Sequence, residues 1–96
     1  MNVIAKREVM KAAAKMGLGG ELQDWYNSAR QANWRSLSDV RKEYPSADMV
    51  GDLIVFDIQH NKFRLIVRVA FKSNMMFFKG LVTHKEYSRG EWKTWK

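Results

Sequence analysis

The sequence predicts an α+β domain, with helices gathered in the first half of the chain and an antiparallel sheet in the second. Three observations carry this. Between Lys6 and Tyr44 the apolar residues recur at helical spacing, interrupted by Gly17, Gly19 and Gly20 and closed by Pro45. From Asp52 onward the runs LIVF, FRLIVRVAF and MMFFKGLV are short, rich in β-branched and aromatic residues, and separated by the polar breaks Gln59-His60-Asn61 and Lys72-Ser73-Asn74. Within the middle run, Phe63, Leu65, Val67, Val69 and Phe71 share one parity, while Lys62, Arg64, Arg68 and Lys72 share the other with Ile66 and Ala70. Successive side chains of a strand point to opposite faces, so one face is apolar and the other basic.

Asn2–Ala5 is short and β-compatible, and reads as an edge strand. From Lys6 to Met16, Val9, Ala12, Ala13 and Met16 make one helical face, and Ala12-Ala13-Ala14 has the highest helix propensity available. The glycines that follow end this helix. Glu21–Asn33 is the second helix: Leu22, Trp25, Ala29 and Ala32 form its stripe, with Glu21 and Asp24 at the positive end of its dipole. The short glycine connection predicts an antiparallel helix pair. Ser36 followed by Asp39 is an N-cap signature, and Leu37, Val40 and Tyr44 mark a short third helix that Pro45 stops. Ser46–Gly51 is loop or the start of a strand. Asp52–Ile58 is a central strand, and Lys62–Tyr87 a long hairpin whose second strand covers Met75–Val82. Thr83 is placed to cap a turn containing His84 and Tyr87. Beyond Tyr87, Ser88–Glu91 reads as a loop or frayed turn. Trp92 and Trp95, flanked by Lys93 and Lys96, are aromatics that stack on bases or fold back on the core. The helices then lie on one face of an antiparallel sheet, and the other face is basic.

Ninety-six residues make one domain, 1–96. Cysteine is absent, which excludes disulfides and thiolate metal sites and suits a reducing compartment. Two His and few clustered carboxylates argue against a metal site, and no cofactor motif is present. No run is long enough for a membrane span and no signal-peptide pattern opens the chain, so a soluble cytoplasmic protein is expected. The net charge is +7. Residues 1–48 carry 8 cations and 6 anions, residues 49–96 carry 9 cations and 4 anions, so the excess sits with the sheet and tail. That bias favours an anionic polymer as partner.

The candidate residues follow from this face. Arg64 and Arg68, four apart on one strand, are about 13 Å apart at ~3.3 Å per residue, roughly the span of two phosphates, and their planar forks suit phosphate oxygens. Lys79 interrupts an apolar strand beside Gly80, which allows close approach of a ligand or another backbone. His84 can give or take a proton near neutral pH, and Tyr87, three residues on, can orient, donate or stack. Lys62, Lys72, Lys85, Arg89 and Lys93 are candidate RNA-binding cations around them. Such residue types suit cleavage of RNA without a metal. A base takes the proton of the 2′-OH, which attacks the adjacent phosphate. Cations stabilise the phosphorane, and an acid protonates the leaving 5′-oxygen. In this reading His84 and Tyr87 serve the protons and Arg64, Arg68 and Lys79 the charge. The same basic sheet also fits a non-catalytic RNA- or ribosome-binding module, or a domain whose cations meet an acidic protein.

The block WYNSARQANWRSLSDVRKEYPSADMVGD (Trp25–Asp52), the strand NKFRLIVRVAF (Asn61–Phe71) and the ending THKEY (Thr83–Tyr87) together resemble the HigB family of bacterial toxins, RelE-like messenger-RNA endoribonucleases. The resemblance covers nearly the whole chain. It implies N-terminal helices packed on an antiparallel sheet, cleavage of mRNA on translating ribosomes, and inhibition by a HigA-like helix-turn-helix antitoxin. Lys62 and Arg64 match the basic positions of the family's N-K-[FY]-R strand, and Arg68 continues that face. His84, Glu86 and Tyr87 match the T-H-x-E-Y ending. Lys79 stands where the family usually has Arg, and Ser88 where Asp commonly follows the Tyr.

Overall fold

The computed structural model describes residues 1–95; Lys96, the last cation of the expected tail, lies outside the described residues. The elements follow the predicted order: β1 (Asn2–Ile4), α1 (Lys6–Lys15), α2 (Gly19–Gln31), α3 (Leu37–Glu43), β2 (Asp48–Val50), β3 (Leu53–Ile58), β4 (Phe63–Ala70), β5 (Met75–Thr83) and α4 (His84–Arg89), closed by a 3₁₀ turn over Glu91–Thr94. Ser36 caps α3 by accepting the Asp39 N–H at 3.3 Å. The Asp39 carboxylate accepts the Arg35 N–H in return, and that bond, with Lys42 close by, holds its carboxyl below the usual range.

The sheet runs β1-β5-β4-β3-β2. Strands β2 to β5 form an antiparallel meander, as the alternating runs and polar turns require. β1 differs: it joins β5 in parallel, Asn2 opposite Met75 and Ile4 opposite Phe77, so the sheet is mixed. A parallel neighbour needs a crossover. Here everything from α1 to β4 serves as one. Three residues carry no signal of direction, so only the tertiary fold settles it. The α-amino group of Met1 donates to the carbonyls of Ala29, Arg30 and Ala32 at 2.9, 3.1 and 2.7 Å, which ties β1 to the carbonyl-rich end of α2.

The main core lies between the sheet and helices α1–α3. Val9, Ala13, Leu22, Trp25, Ala29 and Val40 meet Ile54, Phe56, Leu65, Val67, Val69, Met76 and Leu81. Phe56 sits at its centre, edge-to-face with Trp25 at 5.5 Å and with Tyr44 at 5.2 Å.

The opposite face is more than a solvated basic surface. Leu53, Val55, Ile66, Val82 and Trp92 form a second, smaller cluster, with Tyr87 and Trp95 packed against it. The continuous LIVF run of β3 is therefore buried on both sides, and the chain after β5 supplies the cover. The loop expected after Tyr87 is instead ordered structure. A capping box formed by Thr83 and Glu86 starts α4, Gly90 turns the chain at φ 76°, and the Trp92 indole N–H donates to the Tyr87 carbonyl at 2.9 Å. Trp92 folds back on the core, while Trp95 packs against the same cluster and keeps part of its ring exposed. Gly80 accommodates this: a Cβ there would stand 2.6 Å from Cζ3 of Trp95. It is thus an indole, not a ligand or another backbone, that approaches Gly80.

Gly80→Ala should lower stability by about 1–2 kcal/mol through overpacking against Trp95. In a Trp95→Ala background the same change should cost almost nothing, which a double-mutant cycle by chemical denaturation measures. An equal cost in both backgrounds would place the strain elsewhere.

Candidate functional site

Lys79 owes its position to a β-bulge. Ile66 pairs with Gly80 but Val67 pairs with Phe78, so Lys79 is an extra residue in β5. A bulge resets the alternation. Phe78 and Leu81 both reach the main core, while Lys79 joins the outer face of the sheet. This is how a lysine sits inside an apolar run without burying its charge.

On that face Lys79 lines an open cleft of about 600 Å³ with Arg68, Lys93, Asp52, Leu53 and Trp95. Arg68 projects from β4 with its guanidinium 4.4 Å from the centre of the Phe77 ring, its cross-strand neighbour. A cation held over an aromatic face loses little further freedom when it meets an anion. The 3₁₀ turn brings in Lys93, Trp95 forms a wall, and Leu53 part of the apolar lining. Three cations from three separate segments thus surround one concavity large enough for a nucleotide.

Arg64 sits elsewhere. It is only 8% exposed, its Nε lies 2.9 Å from Asp57 Oδ1, and its Nη1 donates to the Asn61 carbonyl at 2.7 Å. Its guanidinium lies 4.7 Å from the Tyr87 ring, which in turn stacks on Trp92 at 5.0 Å and 10°. Arg64 lies on the outer face of the sheet, as the alternation of the strand predicts. The C-terminal layer covers it, and Asp57, its partner across the β3–β4 ladder, takes its charge. Tyr87 is half-buried in the same stack.

His84 is exposed as the first residue of α4, its backbone N–H bonded to the Lys62 carbonyl at 3.0 Å. Lys62 and Arg68 are six residues apart on one strand, about 20 Å at ~3.3 Å per residue. His84, Lys62 and Lys85 therefore form an exposed group at the far end of the hairpin from the cleft. Arg89 borders a small hollow with Glu86 and Glu91, and Lys72 lies past the end of β4 in the opposite direction. Of the predicted residues, the structure gathers Arg68, Lys79 and Lys93, and separates them from His84, Tyr87 and Arg64. The residue that sequence reading missed is Asp52, which lines the cleft from the β2–β3 turn. Its backbone carbonyl accepts the Val69 N–H at 2.8 Å, which fixes that turn beside Arg68.

Among the described residues no three His, Cys, Asp or Glu side chains cluster as a metal site requires, and no helix is long and apolar enough to cross a membrane. A family model for the HigB toxin, the RelE-like toxic component of a toxin–antitoxin system, matches residues 19–90. The chain belongs to the HigB toxin family. No curated protein matches it. The HigB match runs from α2 through Gly90, so it includes Asp52, Arg68 and Lys79 and stops before Lys93 and Trp95. The protein is the toxin of a toxin–antitoxin pair, and an antitoxin is its partner.

Arg64→Ala would leave the Asp57 carboxylate without its partner and unseat Tyr87. A loss of about 3 kcal/mol is expected on chemical denaturation, and Arg64→Lys should recover little of it, since an ammonium cannot make the same fork. A loss under about 1 kcal/mol would show that the pair behaves as an exposed one.

Proposed function

We propose that this toxin is an endoribonuclease that cleaves messenger RNA on the translating ribosome in the cytoplasm and so arrests growth, held in check by a helix-turn-helix antitoxin. The observation that carries the reading is the convergence of Arg68, Lys79 and Lys93 on one cleft walled by Trp95. Family membership supports it, since RelE-like toxins act on RNA as a class.

In this scheme the scissile phosphate lies between Arg68 and Lys79, and the neighbouring base rests against Trp95. Asp52 takes the proton of the 2′-OH. The 2′-oxygen attacks phosphorus, the P–O5′ bond breaks, and a lysine ammonium at the cleft returns a proton to the 5′-oxygen. The products are a 2′,3′-cyclic phosphate and a 5′-hydroxyl. No metal is required, because fixed cations carry the charge that develops on the phosphorane, usually the largest single contribution to such a step. His84, Lys62 and Lys85, about 20 Å along β4, contact the RNA several nucleotides away. Arg64 is a positioning residue, holding Tyr87 and Trp92 and through them the wall of the cleft.

The test is induced expression in bacteria with mapping of RNA 5′ ends. Wild type should arrest growth and create new ends within translated messages. Arg68→Ala should reduce cleavage by about 10²–10³, and Asp52→Asn by roughly 10²-fold or more, with the folded protein still abundant. His84→Ala should change cleavage by less than about tenfold. Undiminished ends in Arg68→Ala together with their loss in His84→Ala would move the phosphate to the α4 end. Growth arrest without new ends would make the protein an RNA-binding module.

A further inference from the structure

We propose that the cleft is the inner end of a longer RNA track, which continues around the end of the sheet to Arg35 and Lys72 and takes a single-stranded stretch of the same message. This rests on the reading of the cleft as the nuclease site.

The cleft shares Arg68 and Asp52 with a second open groove of about 480 Å³, to which Arg35, Phe71 and Lys72 also contribute. That groove shares Arg35, Phe71 and Lys72 with a third of about 480 Å³, bounded by Asn33 and Asn74. The three form one channel that starts on the outer face and passes the ends of β3 and β4 toward the linker after α2.

Arg35, Arg68, Lys72, Lys79 and Lys93 line the channel, against the single carboxylate of Asp52. None of these five has an ion-pair partner among the described residues, as is true of most cations of this chain; what sets them apart is that they line one path. Asp39, the acid nearest Arg35 in sequence, is engaged by the Arg35 backbone N–H and by Lys42. Cations left unpaired along a groove are what a phosphate backbone requires.

Arg68 projects from β4 and Lys72 from the turn that follows it, and both line the second groove. Phe71, half-exposed between them, offers an aromatic surface to a base, and Asn33 and Asn74 offer side-chain amides at the outer end. The path bends around the edge of the sheet. A flexible single strand follows such a bend, whereas an A-form duplex presents a rigid, evenly curved backbone. The charge that sequence reading assigned to Lys72 thus finds a partner in Arg35, which lies 37 positions away and was not singled out.

The experiment measures affinity for 2′-O-methylated oligoribonucleotides, in which the attacking hydroxyl is blocked. The probes are a trimer, a single strand of roughly nine nucleotides and a duplex of the same length. Wild type should favour the long single strand over the trimer. In Arg35→Ala/Lys72→Ala that advantage should fall on the order of tenfold, and the salt slope for the long strand by about 1.4, two phosphates' worth. A double variant that keeps the full length advantage overturns the track and leaves the cleft reading intact, provided Arg68→Ala weakens both single strands. Equal loss with the duplex overturns the single-strand assignment and makes the surface a contact for folded ribosomal RNA. No binding of any probe by wild type overturns the track, and the nuclease reading then stands or falls on the mapped RNA 5′ ends.

Discussion

The Arg64–Asp57 pair is the constraint on which the outer half of the molecule depends. Two charges sit on adjacent strands beneath a layer that excludes most water from them. An uncompensated charge there would be costly, so the geometry around it is strongly specified. Arg64 has one arm on Asp57 and another on the Asn61 carbonyl, and its flat face meets Tyr87. Tyr87 stacks on Trp92, and three residues later Trp95 comes down on Gly80. A single buried guanidinium thereby orients α4 and the turn after it, and the wall of the cleft is a consequence of that orientation. The charges that face solvent and the one that does not have opposite roles, although the alternation of β4 presents them as equivalents.

Most of the fold was legible in the sequence because local signals and tertiary demands agree. The Ser36 cap, the Pro45 stop and the alternation of β4 each have a local physical cause and appear in place, whereas of the glycines expected to break the chain only Gly17 lies between the helices, and Gly19 and Gly20 open α2. What was not legible depended on pairing. The direction of β1 follows from where β5 lies, which three residues cannot encode. The second hydrophobic layer follows from Ile66 and Val82 needing cover, and its cover is a tail whose own pattern is weak.

The site was legible in kind and only partly in place. Arg68 and Lys79 were identifiable because a cation within an apolar strand is conspicuous. That they share a cleft with Lys93 depends on the bulge and on the C-terminal turn, neither of which has a sequence signature strong enough to locate. His84 and Tyr87 drew attention through their chemistry, but residue type says nothing of distance. Asp52 went unremarked because a carboxylate in a Gly-Asp turn reads as turn chemistry.

The parallel pairing of β1 with β5 has a bearing on when a chain of this kind first becomes harmful. Asn2 must find Met75, so the sheet closes only after almost the whole chain has been threaded between its two ends. Contacts of such long sequence separation are made late and weigh on the folding rate. Lys79 lies on the strand that completes this closure, and Lys93 lies beyond it. The cleft lined by Arg68, Lys79 and Lys93 therefore exists only once the last segment of the chain has folded against the sheet.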